Sequence, residues 1–204
     1  MHIKTWISVF VTAAFILGYS STYAQAKSPM ETVKKRIDQV IDLLNDPQFK
    51  DSTRRGAQRD KIWEVASPMF DFKEISRRTV GPSWEKFSEE QKEQFTKVFS
   101  EFLGNSYLDR VQGEYQNEKV VYVSEAVREP QALVRTQLVR EKMVMPIDYR
   151  MRLDGGQWKI YDVLVENGVS IVQNYRVQFQ SILQKENPDQ LIARLEQRLQ
   201  ERKF

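Results

Sequence analysis

Few side chains in this sequence could carry catalytic chemistry. Histidine occurs once, at His2, and cysteine does not occur in the 204 residues. Catalytic zinc and copper sites, Ser-His or Cys-His nucleophiles and thiol redox centres depend on these residue types. The sequence also contains no glycine-rich phosphate-binding loop of either common spacing. The side chains that remain as candidates for catalysis are carboxylates, lysines and tyrosines. The composition therefore argues against an enzyme and predicts neither a cofactor nor a metal site.

One carboxylate and three arginines are the polar candidates for a functional role. Asp162 could act as the general base of a cone-shaped small-molecule enzyme, although a hydrogen-bonding structural role is the favoured interpretation. The guanidinium groups of Arg77, Arg78 and Arg176 could contact a phosphate, because their planar donor pairs match its oxygens. For Arg77 and Arg78 the alternative is a solvated helix face. For Arg176 it is an ion pair with Asp162 or Glu166.

The first residues are predicted to be a signal peptide. Lys4 supplies the positive region, Trp6 to Gly18 the apolar region, and Ala24-Gln25-Ala26 a small-residue cleavage site. We therefore expect residues 1–26 to be removed on export, leaving residues 27–204 as a single domain. No later stretch approaches the ~18 apolar residues of a spanning helix.

The charge of the exported chain is nearly balanced. The whole sequence has 31 basic and 28 acidic residues, and residues 1–26 contain one lysine and no acid, so 30 and 28 remain and the net charge is +2. This balance gives no reason to expect a nucleic-acid partner. With no cysteine, neither a disulfide nor a lipid anchor is expected.

The elements that position these residues are predicted to begin with helices. Ser28-Pro29-Met30-Glu31 and Ser88-Glu89-Glu90-Gln91 read as capping boxes, at the starts of the first and the longest helix. Shorter helices are predicted from about Thr53 to Ala66 and from Asp71 to Val80. Gly104 interrupts the longest helix at a cost of ~1 kcal/mol relative to Ala, which predicts a bend or a close contact there.

From Lys119 onward the sequence has the period of two that is typical of strands. Four strands are predicted, at Val120 to Val127, Leu133 to Val139, Val144 to Leu153 and Trp158 to Val165. Short turns between them indicate an antiparallel sheet with one wet and one covered face. Two helices end the chain. Helices, then an antiparallel meander, then helices predict an α+β fold.

The fourth strand leads into the most distinctive stretch of the chain. Asn167-Gly168 supplies the permissive backbone for a sharp reversal, and Ser170 can cap the helix that follows. The whole stretch, WKIYDVLVENGVSIVQNYRVQF, resembles the C-terminal signature of the Mla-pathway periplasmic phospholipid-binding proteins, also called the toluene-tolerance auxiliary family. The chain departs from that signature once, since Asn167 separates Glu166 from Gly168.

A second block strengthens the resemblance. Phe70-Asp71-Phe72, then Arg77 to Gly81, then Trp84 precede a long Gln- and Phe-rich helix, as they do in the family. The resemblance implies a twisted sheet that curls around helices and leaves a deep apolar cavity. It also implies a phospholipid ligand, an outer-membrane lipoprotein/porin donor and an inner-membrane ABC transporter with a membrane-anchored substrate-binding subunit.

The resemblance makes the apolar sides of these elements candidate walls of the cavity. The predicted lipid-binding residues are Phe95, Phe99, Leu103, Tyr107, Tyr149, Met151, Val163, Val165, Val169, Val172, Tyr175 and Phe179. From periodicity alone, ordinary core packing is the favoured interpretation of the same stripes, and a ligand cavity is the alternative. The alternatives to a phospholipid shuttle are a carrier of hopanoid-type lipids, a cone-shaped enzyme, and a protein-only interaction module of the envelope.

Overall fold

The structure is a computed structural model, and it describes residues 28–166 and 168–201. The predicted signal peptide and Asn167 of the predicted turn lie outside the described residues. The helices are α1 (Pro29–Asn45), α2 (Arg55–Ala66), α3 (Phe72–Val80), α4 (Glu89–Glu114), α5 (Ile171–Leu183) and α6 (Pro188–Glu201). The strands are β1 (Lys119–Arg128), β2 (Gln131–Arg140), β3 (Met143–Asp154), β4 (Gln157–Val165) and β5 (Val169–Ser170).

The helix starts follow from local capping chemistry. Ser28 and Ser88 both form complete capping boxes, with Glu31 and Gln91 as the returning side chains, which confirms these two predictions. The predicted second helix starts two residues later than expected, because a 3₁₀ turn at Ser52–Arg54 precedes it. The capping boxes at Ser28 and Ser88 satisfy backbone N–H groups that have no partner within their helices.

The sheet is antiparallel with the order β1-β2-β3-β4-β5, so the predicted α+β fold is confirmed. The predicted number of four strands is wrong. Val169 and Ser170 return to pair with Val165 and Leu164. The reversal is possible because Glu166 and Gly168 adopt φ values of +47° and +96°. A strand of two residues is too short to leave an alternating pattern in the sequence.

One face of the sheet is covered by α1. The hydroxyl of Tyr122 in β1 donates to Asp38 of α1 at 2.8 Å, and the N–H of Met30 donates to the carboxylate of Glu125 at 2.8 Å. α1, α3 and α5 contact the sheet, whereas α4 packs chiefly on α2, α3 and α6. The longest helix therefore faces the other helices more than it faces the strands.

The apolar interior is divided into two clusters. The first, here the helical cluster, joins α3 to α6 and contains most of the aromatic rings. The second, the sheet cluster, joins the covered face of β2–β4 to α1 through residues such as Val33, Val134 and Met151. Phe70 packs against both clusters. Among the described residues, no helix combines the length and apolar character that crossing a membrane requires.

Candidate functional site

The α4 and α5 members of the predicted lipid-binding set meet in the helical cluster. The ring of Phe99 lies 5.1 Å from that of Phe179 and 5.2 Å from that of Tyr175, both edge to face. Phe95 completes the group at 5.6 Å from Phe179. Edge-to-face geometry is favourable because the positive ring edge meets the negative ring face. Phe95 and Phe99 have no exposed surface, so they form the floor of this group.

The strand members of the set lie together on the covered face of the sheet. Tyr149 is directly opposite Val163, and Val165 is opposite Ile147, while Met151 is fully buried. Tyr149 and both valines are only half-buried. Burial nevertheless raises the pKa of Tyr149 to about 12. Tyr149 therefore keeps some accessible surface although protein surrounds its hydroxyl.

Ten of the twelve predicted residues fall into two groups, one in each cluster, and Val165 and Val169 belong to neither. Leu103, Val172 and Phe179 are buried in the helical cluster, whereas Tyr107 and Tyr175 are half-buried at its rim. Val169 stands apart, since 52% of it is exposed. The described residues do not show one deep apolar cavity between the groups. Two recesses of about 460 and 330 Å³ are open elsewhere, with none of the predicted residues among those that line them.

The two rim tyrosines form a polar contact between α4 and α5. Burial raises the pKa of Tyr107 to about 12, and the neighbouring Tyr175, to which it is hydrogen bonded, acts in the same direction. A tyrosine with such a pKa is neutral at physiological pH. The rim of the helical cluster is therefore polar but uncharged at Tyr107.

Asp162 holds the start of α5 against the sheet. Its buried carboxylate accepts from the hydroxyl of Ser170 at 2.7 Å, from the N–H of Val172 at 3.1 Å and from Arg150 at 3.1 Å. Ser170 in turn caps α5. The ion-pair partner of Asp162 is Arg150, on the neighbouring strand, rather than Arg176. This network positions the helix that carries Val172 and two other members of the predicted set, Tyr175 and Phe179.

The two adjacent arginines of α3 are tied to a buried acid. Glu74 accepts two hydrogen bonds from Arg77, both at 2.8 Å, and one from Arg78 at 2.7 Å. Burial alone would raise the pKa of Glu74, but these bonds hold it below its ordinary value. Arg78 also stacks 4.1 Å from the ring centre of Tyr161. These contacts favour a structural role for Arg77 and Arg78 over phosphate binding.

Sequence reasoning missed Arg150 and the central position of Glu74. Arg150 could have been found from its place on the polar side of β3, but its pairing with Asp162 depends on the β3–β4 register, which shifts by one residue between Arg150 and Met151. Within residues 28–166 and 168–201, no cluster of three or more acidic or histidine side chains could hold a metal ion.

The fold is an antiparallel sheet covered by helices, and its interior consists of two apolar clusters. The family model described as MlaC protein matches residues 34–197. The chain therefore belongs to the MlaC family, and the resemblance stated from the sequence is confirmed.

Known relatives agree with this assignment. The "Intermembrane phospholipid transport system binding protein MlaC" of Haemophilus influenzae is 24% identical over 205 residues, covering 97% of this chain and 94% of that protein. The "Toluene tolerance protein ttg2D" of Pseudomonas putida is 27% identical over 173 residues, covering 80% and 77%. A phospholipid-binding protein from Ralstonia solanacearum, solved in complex with a phospholipid, shares the fold. Its TM-score is 0.73 at 23% identity, over 86% of this chain and 98% of that one.

Proposed function

We propose that this protein is a periplasmic phospholipid carrier. After export and removal of residues 1–26, the domain of residues 27–204 holds the acyl chains of a phospholipid between its helical cluster and its sheet cluster. It passes the lipid between an outer-membrane lipoprotein/porin complex and an inner-membrane ABC transporter with its membrane-anchored substrate-binding subunit. The name of the Haemophilus influenzae relative and the bound phospholipid of the solved structure support the ligand class.

The observation that carries the proposal is the division of the interior into two apolar clusters with half-buried rims. Tyr107 and Tyr175 form the rim of one cluster, and Tyr149 and Val163 belong to the rim of the other. A compact core would close over such residues, because apolar surface removed from water stabilises a protein by roughly 25 cal/mol per Å². We infer that separation of the two clusters opens a dry space between these rims, which acyl chains would occupy.

The energetics of lipid transfer explain why such a protein needs apolar walls and no catalytic group. Each CH₂ exposed to water costs ~0.8 kcal/mol, so an acyl chain of ~16 carbons costs on the order of 12 kcal/mol. The headgroup can stay in water without a comparable cost. A carrier therefore needs many interchangeable apolar side chains. Transfer can follow differences in affinity between donor, carrier and acceptor.

The environment of Asp162 supports this proposal against the enzyme alternative. A general base needs a free lone pair that can reach the substrate proton. The carboxylate of Asp162 is instead buried and accepts from Ser170, Val172 and Arg150. These bonds fix α5 in place, which is what a wall of a ligand space requires.

Lipid extraction tests the proposal directly. We expect the protein purified from the periplasm to release about one diacyl phospholipid per chain into organic solvent, identified by mass spectrometry. Recovery of a polycyclic lipid would instead support the hopanoid alternative. Protein without extractable lipid, and with no uptake from labelled vesicles, would overturn the carrier.

A further inference from the structure

A second recess lies outside the set of predicted lipid-binding residues. It has a volume of about 330 Å³ and lies between the first half of α1 and the hairpin that joins β3 to β4. Its apolar floor includes Met69 and Trp158, both buried. Its sides include Lys35, Arg36 and Lys159. A concave surface with an apolar floor and a few converging polar groups is the usual form of a small-ligand site.

All the charged side chains that line this recess are positive. Three of the side chains that line it are cations and none is an acid. Within the described part of the chain, no ion pair involves Lys35, Arg36 or Lys159, although Lys34 pairs with Asp38 and Arg152 pairs with Asp71 close by. The ammonium group of Lys159 donates to the carbonyl of Pro68 at 2.6 Å, which holds it at the recess.

The backbone of the hairpin leaves the mouth of the recess free. Gly156 lines it with φ of +77°, and a Cβ placed there would meet no atom within 4 Å. Three like charges around one concavity repel each other, so an anion that enters it gains from all three at once. The guanidinium group of Arg36 and the ammonium groups of Lys35 and Lys159 suit a phosphate, because its several oxygens can accept from all three groups.

We propose that this recess binds a phosphate-bearing group of the size of a glycerophosphate. Two sources share that chemistry: the headgroup of an anionic phospholipid at a membrane surface, and a soluble phosphate ester. A lipid source would hold the protein on a membrane while the ligand space between the two clusters stays free for acyl chains. The proposal does not rest on the carrier function, since the cations that would bind the phosphate belong to neither apolar cluster, although the floor residues Met69 and Trp158 are also part of the sheet cluster.

The first experiment uses solution ligands. sn-Glycerol 3-phosphate is titrated into ¹⁵N-labelled protein, with acetate as a carboxylate control, and the amide signals of Gly156 to Lys159 are followed by NMR. We expect saturable shifts with glycerol phosphate and none with acetate. A triple variant, Lys35→Gln/Arg36→Gln/Lys159→Gln, should abolish these shifts. A matched variant with the same loss of charge at exposed lysines, Lys61→Gln/Lys97→Gln/Lys185→Gln, should keep them.

The second experiment identifies the source. The same three proteins are sedimented with vesicles of phosphatidylcholine alone or with 30% phosphatidylglycerol as the probe. Each cation at an anionic surface contributes roughly fivefold to binding, so the recess variant should bind the anionic vesicles about a hundredfold more weakly. The matched variant should lose about twofold. The exposed Lys35→Gln alone should lose about fivefold, which keeps the test available if the triple variant does not fold.

The outcomes are distinct. Shifts with glycerol phosphate together with recess-dependent vesicle binding support a headgroup site. Shifts without recess-dependent vesicle binding support the site with a soluble phosphate ester as its ligand. No shifts with glycerol phosphate, or shifts that the recess variant keeps, would overturn the proposal and leave acidic side chains of a partner protein as the remaining anion. Extractable lipid should be equal in all three proteins, so failure here is separate from failure of the carrier function.

Discussion

The indole ring of Trp63 lies against the backbone of Gly104. A Cβ built on Gly104 would be 2.6 Å from Cζ3 of the Trp63 ring, closer than real Cβ contacts come. Trp63 belongs to α2 and Gly104 to α4, so the glycine allows these two helices to approach each other. The sequence predicted a bend or a close contact at Gly104, and the close contact is confirmed.

The first prediction follows from this contact. Gly104→Ala should gain up to ~1 kcal/mol of helix propensity but lose about 1–3 kcal/mol to overpacking against the Trp63 ring, so we expect a net destabilisation of up to about 2 kcal/mol. Gly113→Ala is the matched control, because Gly113 is in the same helix and a Cβ there meets nothing within 4 Å. Chemical denaturation measures both. Equal or greater stability of Gly104→Ala would show that the helices can separate without cost.

The second prediction concerns the wall of the proposed ligand space. Val163→Glu brings a carboxylate beside Tyr149, where burying the charge is costly, so lipid per chain should fall by at least about tenfold. Val177→Glu is the control, because 60% of Val177 is exposed, and its lipid content should not change. The Val163 variant should remain folded by circular dichroism, since an open space can hydrate the charge. Complete unfolding would identify Val163 as ordinary core, and unchanged lipid would place it outside the space.

The third prediction concerns the anchor of α5. Asp162→Asn removes the charge that Arg150, Ser170 and the N–H of Val172 share, so we expect a loss of about 2 kcal/mol in the free energy of unfolding. Asp154→Asn, at an exposed pair with Arg152, should cost less than about 1 kcal/mol. Urea denaturation gives both values. An Asp162 variant as stable as wild type would show that α5 docks without this network.

The fourth prediction is a pH dependence with a defined sign. The pKa of Glu74 is lower in the folded protein than its ordinary value of 4.5 because Arg77 and Arg78 donate to it. As the pH falls, the Glu74 carboxylate is therefore protonated near pH 4.5 in the unfolded state and only at a lower pH in the folded state. The stabilisation by Glu74 is complete above the unfolded pKa and is lost as the pH falls through the folded pKa. Glu74→Gln should flatten the acid side of the stability curve, whereas Glu93→Gln at an exposed site should not. Denaturation midpoints between pH 3 and 7 check this.

The sequence predicted the elements that have strong local signals. The capping boxes at Ser28 and Ser88 and the alternation of β3 each specify their structure within a few residues of chain. What it could not predict depends on register or on distant contacts. β5 has two residues and no period of its own, and the bond from Arg150 to Asp162 exists only because a register shift aligns them.

The candidate sites show the same limit. The apolar stripes of α4 and α5 could be recognised from their spacing, but whether each residue is floor or rim depends on how the two clusters face each other. The recess beside the hairpin brings Lys35 and Arg36 together with Lys159, more than 120 residues later in the chain. No local pattern links positions so far apart.

The last prediction is that affinity for lipid depends on the acyl chains and hardly on the headgroup. Arg77 and Arg78 are already hydrogen bonded to Glu74, so they offer little to a phosphate at the ligand space. Leaving the headgroup in water also avoids the cost of burying its charge, which one or two hydrogen bonds would not repay. Lipids with the same chains and different headgroups should therefore compete within about tenfold, or ~1.4 kcal/mol.

A matched series makes this measurable. Phospholipids with identical chains displace a fluorescent lipid from the protein at fixed salt, and a lysolipid with one chain serves as the contrast. A lysolipid lacks one chain of ~16 carbons, so the protein shields much less apolar surface from water when it binds this ligand. The lysolipid should therefore bind much more weakly than any diacyl lipid of the series. The Lys35→Gln/Arg36→Gln/Lys159→Gln protein separates this site from the second recess, because its displacement curves should match those of wild type. A preference of about a thousandfold for one headgroup, ~4 kcal/mol, would contradict tail-dominated binding and indicate a specific polar site at the rim of the ligand space.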